Sequence, residues 1–282
     1  MRRTHPALAV LDVGFRKHPD LPSGRVLAAL DATGEKVVPF RYGDREHAAE
    51  HGTRTMLLSA GDGRSSHLAS LSPEAPVVLV KVGEGTRVPR AAIVRAFAYL
   101  LAEGPGLGVR VVLCPFGDDP ELPGDPSPVP GLVRDLDARG FLVVAAAGWD
   151  PEAHCVSPAS SAHALGIGGW DLEHDLPAAG PRVEKVNGVM KPDLLAPSTP
   201  LTVPALSGGR RPETAGGTSF AAALVAGAVL HLLGADPELS REEILRRFRA
   251  GGREVPGHPP YLDLERLRRV SESSREPGRH LR

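Results

Sequence analysis

Five short segments, Ala7 to Leu11, Val77 to Val82, Val109 to Cys114, Phe141 to Ala147 and Ala164 to Gly168, are apolar at almost every position. A strand with one wet face alternates apolar and polar residues. An unbroken apolar run of this length fits a strand covered on both faces, as in a parallel sheet between helical layers. Helical patterns lie between the runs. Ala91 to Glu103 spaces Ile93, Phe97 and Leu100 on one face after Pro89, and Leu132 to Arg139 ends at Gly140, where a C-terminal stop belongs. Gly217 to Leu233, stopped by Gly234, is small and aliphatic all round, which places it through the middle of a domain. Ser240 and Glu243 form a capping box opening Arg241 to Ala250, whose Ile244, Leu245 and Phe248 share a face. The expected fold class is α/β: a mostly parallel central sheet with helices on both faces. One domain is expected over residues 1 to 270, and a polar, disordered tail over 271 to 282. The proline-rich stretch Asp118 to Pro130 reads as a surface loop, because strand and helix alternation resumes beyond it.

Charge and cysteine content narrow the function classes. The chain has 33 Lys plus Arg against 34 Asp plus Glu, so net charge supports neither a nucleic-acid surface nor an anionic membrane patch. No apolar run approaches the roughly 20 residues of a membrane span. Two cysteines, Cys114 and Cys155, make no disulfide framework and no multi-thiolate zinc site, and each reads as a small buried hydrophobe in a reducing compartment. A cytoplasmic location is expected, with no nucleic-acid or membrane partner. No multi-residue cluster of cysteines and histidines occurs, so no metal is expected.

Three places carry chemistry. Asp12, in Leu11-Asp12-Val13-Gly14, follows an apolar run directly, at the strand end where open α/β sheets keep their working groups. His51, in Glu50-His51-Gly52-Thr53, precedes apolar Met56, Leu57 and Leu58, at a helix start facing the sheet edge. Ser219, in Gly216-Gly217-Thr218-Ser219-Phe220-Ala221-Ala222, opens the apolar helix, where free amides and the positive dipole end stabilise a forming anion. Taken singly, these are a turn-capping Asp, a surface His and an N-cap Ser. In the order Asp, His, Ser they acquire a joint meaning.

The chain resembles the subtilisin-like serine peptidases, the subtilase family. The resemblance rests on Asp12-Val13-Gly14 with His18-Pro19-Asp20-Leu21, His51-Gly52-Thr53, Val80-Lys81-Val82, Ala146-Ala147-Gly148, Lys191-Pro192-Asp193-Leu194-Leu195-Ala196-Pro197, and Gly217-Thr218-Ser219-Phe220-Ala221-Ala222 followed by Val225-Ala226-Gly227. It implies the three-layer subtilisin-like fold and a serine endopeptidase working through an acyl-enzyme. Ser219 would attack a peptide carbonyl, His51 would move the proton, and Asp12 would hold the imidazole. The Ser219 amide would donate to the oxyanion. Cys114, Pro115, Phe116, Gly117, Ala146 and Ala147 would flank a substrate bound as an added strand.

The same resemblance exposes departures. The family's Asn after Ala-Ala-Gly, the second oxyanion donor, is replaced by Trp149 following Gly148; the chain's single Asn, Asn187, has no evident path to the hole. Loss of such a donor costs about 2.7 to 4 kcal/mol of transition-state stabilisation. Trp149 is expected either to platform substrate or to plug the site. Arg54 stands where a second His often follows, Ala223 where the serine helix often has Pro, and Pro115 deletes a backbone donor beside the substrate. With the chain starting at its first strand, a compact, intracellular-type member without propeptide is expected, acting on a restricted substrate such as a precursor peptide or one partner protein. Calcium often stabilises the family, yet Gly61 to Ser66 offers too few carboxylates to assign a site, and no cofactor is expected. The competing expectation is a damped or inactive peptide-binding or regulatory module of the same fold, with Trp149 filling the oxyanion site.

Overall fold

The computed structural model describes residues 5 to 118, 127 to 186, 188 to 207 and 209 to 263. The tail expected over 271 to 282, Asn187 and most of the proline-rich loop lie outside the described residues. The strands are β1 (Ala7–Asp12), β2 (Val26–Asp31), β3 (Val38–Pro39), β4 (Val77–Lys81), β5 (Val109–Cys114), β6 (Leu142–Ala146), β7 (Ala164–Asp171), β8 (Leu176–Pro177), β9 (Glu184–Val186), β10 (Val189–Lys191), β11 (Leu194–Thr199), β12 (Leu201–Val203) and β13 (Glu213–Ala215). The α-helices are α1 (Glu50–Ala60), α2 (Arg90–Glu103), α3 (Val129–Ala138), α4 (Thr218–Ala235) and α5 (Arg241–Gly251).

Nine strands form one sheet in the order β11-β7-β6-β5-β1-β4-β2-β3, with β8 on β7. The edge pairs β2 with β3 and β7 with β8 are antiparallel, and the other pairs are parallel. All five apolar runs of the sequence are strands of its interior. Alternate residues of β1 point into opposite layers. Leu8 and Val10 pack with Leu57 of α1, Val225 and Val229 of α4 and Phe248 of α5, whereas Ala7, Ala9 and Leu11 pack with Ile93 and Phe97 of α2 and Leu136 of α3. This is the three-layer arrangement expected.

Helix boundaries differ from the sequence pattern in two instructive places. Helix α3 starts at Val129, a turn earlier than Leu132, because Pro130 sits in the first turn, where its missing N–H removes no intrahelical bond. Helix α4 does not stop at Gly234. It runs to Ala235 and ends at Asp236, extended at φ −140° and ψ 95° ahead of Pro237, whose ring disfavours a helical residue before it. By length and composition α4 could cross a membrane, although the sequence showed no run of full span length. Its Val225, Ala226, Val229 and Leu233 are buried in the layer that covers the sheet.

Two of the family-like blocks prove to be struts. Lys191, fully buried, donates from Nζ to Asp193 Oδ2 at 2.6 Å and to the Ala164 carbonyl at 2.9 Å, while the Gly166 amide donates to the same carboxylate oxygen at 2.8 Å. The pair ties the start of β11 to β7; burial pushes the ammonium pKa down and Asp193 opposes it. His18, also buried, accepts from the Asp20 amide through Nδ1 and donates from Nε2 to the Ala205 carbonyl, so both ring nitrogens have structural partners. The Asp20 carboxylate in turn accepts from the Ser65 and Ser66 amides and the Ser66 hydroxyl, pinning the loop that follows α1.

Gly227 of α4 meets α1 backbone to backbone: a Cβ there would lie 3.0 Å from the Ser59 carbonyl oxygen. Gly227→Val should therefore separate the two helices that carry the candidate site and lower unfolding free energy by about 1 to 3 kcal/mol, as overpacking does. Urea unfolding followed by circular dichroism measures it.

Candidate active site

The strand order changes direction at β1: β2, β3 and β4 lie on one side of it, and β5, β6, β7 and β11 on the other. Open α/β sheets leave a crevice at the carboxyl end of such a switch point. Asp12 is the last residue of β1 and only 1% exposed. Helix α1 begins one residue before His51, and its approach to β1 is set by two glycines. A Cβ on Gly52 would stand 2.2 Å from the Gly14 carbonyl oxygen and 2.8 Å from Asp12 Cβ. Gly14, at φ +144°, carries the chain past the His47 carbonyl, which a Cβ would meet at 2.5 Å. The sequence His-Gly-Thr thus has a packing meaning: without side chains at 14 and 52, the first turn of α1 lies on the end of β1.

That approach brings His51 onto Asp12. Nδ1 lies 2.9 Å from Oδ1 and 3.0 Å from Oδ2. Facing a carboxylate, Nδ1 carries the proton, which leaves Nε2 with the lone pair of a neutral ring. Asp12 also accepts from the Val13 amide at 2.7 Å and the Thr55 hydroxyl at 2.9 Å. Burial by itself pushes the His51 pKa down, as does the charge of Arg54, but the charge and hydrogen bond of Asp12 outweigh them and the net shift is upward.

Ser219 enters from α4. Gly217, at φ +140°, precedes the helix, and its amide bonds the Ser198 carbonyl at the end of β11. Ser219 is the second residue of α4, so its amide belongs to the first turn, which has no intrahelical acceptor. The neighbouring Phe220 ring is tilted against the His51 ring, with centroids 5.6 Å apart. The serine hydroxyl, however, donates to the Pro115 carbonyl at 2.6 Å. The structure brings the acid, the imidazole and the serine helix to one place, with the serine proton directed at backbone. Arg54, which stands at the second-His position, bonds Glu213 of β13 at 2.7 Å and so links α1 to the strand leading into the serine turn.

The residues expected to flank substrate are arranged less simply. Pairing of β5 with β6 ends at Cys114 and Ala145. Beyond it, Pro115, Phe116 and Gly117 leave the sheet rather than continuing as strand. Ala147 bonds inward, its amide to Ile167 and its carbonyl to the Val156 amide. Val156 stands between the parted segments: a Cβ on Gly117 would meet its Cγ2 at 2.8 Å, and one on Gly148, at φ +107°, would meet Cγ1 at 3.6 Å. The Cys114 side chain is fully buried, and burial pushes its thiol pKa up, so that residue offers backbone alone. Trp149 is 77% exposed, so its ring is not packed into the protein as a plug. Among the described residues no group of three or more His, Cys, Asp or Glu side chains is placed to hold a metal.

With Asp12 neutralised, the remaining influences on His51 both depress it, so Asp12→Asn should move the imidazole pKa from above 6.5 to below it, read by NMR titration of the ring. In the wild type the raised value makes the contact favour folding at pH below the ordinary histidine value. That contribution fades as pH rises through the raised one.

A model of the subtilase family matches residues 3–249. The chain is 27% identical over 274 residues to the serine protease AprX of Bacillus subtilis strain 168, covering 86% of this chain and 60% of that protein's length. Among solved structures it superposes on S41 psychrophilic protease at a TM-score of 0.74, with 22% identity over 89% of this chain and 84% of that one. It superposes on the nisin leader peptidase NisP of Lactococcus lactis at 0.71, with 15% identity over 94% of this chain and 87% of that one. The match to the family model over most of the chain and the shared fold agree: this chain belongs to the subtilase family.

Proposed function

We propose that the protein is a serine endopeptidase of restricted specificity, using Asp12 to hold His51, His51 as general base and acid, and Ser219 as nucleophile. The observation that carries this reading is the double contact of His51 Nδ1 with both Asp12 oxygens beside the first turn of α4. It fixes the tautomer in which Nε2 is the basic nitrogen. For the reaction the Ser219 side chain turns from Pro115 to Nε2. Its oxygen attacks the peptide carbonyl while the proton passes to His51, and the proton then leaves with the amine as the acyl-enzyme forms. The Ser219 amide, at the positive end of α4, is one donor to the oxyanion. The second donor, which the family takes from Asn, is a water or the Trp149 indole N–H.

The substrate is a peptide or protein. Its restriction is supported by Pro115, which offers no amide to a substrate strand, and by Val156 between the two flanking segments. NisP acts on a leader peptide, and a dedicated precursor peptide or partner protein is the substrate class proposed for this chain. Free, buried Cys114 and Cys155 agree with a cytoplasmic setting. The second reading, a damped or inactive module, draws support from the Ser219 hydroxyl resting on Pro115. The exposure of Trp149 favours a substrate platform over a plug.

Fluorophosphonate labelling tests the proposal. Wild type should be modified at one residue, located by peptide mapping to Ser219, and Ser219→Ala should not react; an unreactive wild type would count for the module. Trp149→Asn should raise peptide hydrolysis about tenfold or more if the oxyanion hole is what limits the rate. Unchanged turnover alongside tight peptide binding is the module's signature.

A further inference from the structure

Resting on the catalytic reading above, we infer that Thr55 is a positioning residue for the reaction: its hydroxyl clamps the second oxygen of Asp12 so that the carboxylate plane faces the His51 ring. His51 and Thr55 are four residues apart on α1, hence on one face of it. Thr55 is fully buried and donates to Asp12 Oδ2 at 2.9 Å. The opposite oxygen, Oδ1, is held by the Val13 amide at 2.7 Å. With one donor on each oxygen, the carboxylate cannot rotate about its Cβ–Cγ bond without breaking a bond. The result is visible in the nearly equal Nδ1 distances of 2.9 and 3.0 Å.

The hydroxyl has an alternative acceptor, the Gly52 carbonyl at 3.1 Å, but a single proton. The bond to an ionised carboxylate is the stronger of the two. A valine here would fill the same volume and leave Oδ2 with the imidazole as its one remaining side-chain donor. Two consequences follow for His51. Orientation of the ring is less constrained, which slows proton transfer. Oδ2 also loses its competing donor and accepts from the imidazole alone, which makes the ring harder to deprotonate. Arg54, bonded to Glu213, and Asp12 itself are the charged groups that act on His51; Cys114, facing Asp12 from β5, is held neutral by burial. A change at 55 adds or removes no charge among them.

The test measures fluorophosphonate labelling of Ser219 against pH, together with NMR titration of His51, in wild type, Thr55→Val and Thr55→Ser. Thr55→Val should label about five- to tenfold more slowly, the loss of roughly one hydrogen bond in the transition state. Its acid limb and the His51 titration should both move upward. Thr55→Ser, which keeps the hydroxyl, should restore both. A folded Thr55→Val with wild-type rate and titration, or a Thr55→Ser as impaired as the valine, would overturn the assignment. If Thr55→Val does not fold, Thr55→Ala replaces it, with the same expected shifts. Should no form label while His51 still moves on Thr55→Val and returns on Thr55→Ser, the clamp stands and the peptidase reading falls.

Discussion

Because residues 14 and 52 carry no side chain, helix α1 rests on the end of β1 at a separation that any Cβ would forbid. The contact between acid and imidazole follows from that approach. It places an imidazole from one element and a carboxylate from another within hydrogen-bonding distance, and buries the carboxylate while leaving the ring 39% exposed. A buried carboxylate is costly unless its oxygens are satisfied. Here Val13, Thr55 and His51 satisfy them, so that the charge that orients the ring is itself held by the scaffold.

The second constraint is the position of α4. Its small residues allow it to run through the layer above the sheet and to touch α1 along backbone at Gly227. The end that bears Ser219 then emerges beside the His51 ring, tethered by the Gly217 amide to β11 and, through Arg54 and Glu213, by β13 to α1. The two helices and one strand that carry Asp12, His51 and Ser219 are thus packed on one another rather than hung on loops. The segments expected to hold substrate are the reverse: they leave the sheet after Cys114 and Ala146, and their geometry is governed by Gly117, Gly148 and the valine between them.

This division explains what the sequence made legible. Strands β1, β4, β5, β6 and β7 are buried on both faces, so their composition announces them. Strand β2 is half-exposed, the β9–β10 and β12–β13 hairpins have three residues a side, and β11 contains Pro197; none has the apolar signature of a buried strand. Asp12, His51 and Ser219 were found through the order of their motifs. Thr55 was not, although its spacing of four from His51 was there to be read, because a lone threonine in an apolar helix has no meaning until its acceptor is placed. Val156 likewise becomes informative once two distant glycines are seen to face it.

The central claim is that the Ser219 hydroxyl leaves Pro115 for His51 when a substrate carbonyl is present. An experimental structure of the protein with a peptide boronate addresses it directly. The account predicts a tetrahedral adduct on Ser219 Oγ, with His51 Nε2 within hydrogen-bonding distance of that oxygen and Nδ1 still on Asp12. A boronate bound without a bond to Ser219, its hydroxyl still on the Pro115 carbonyl, would contradict it.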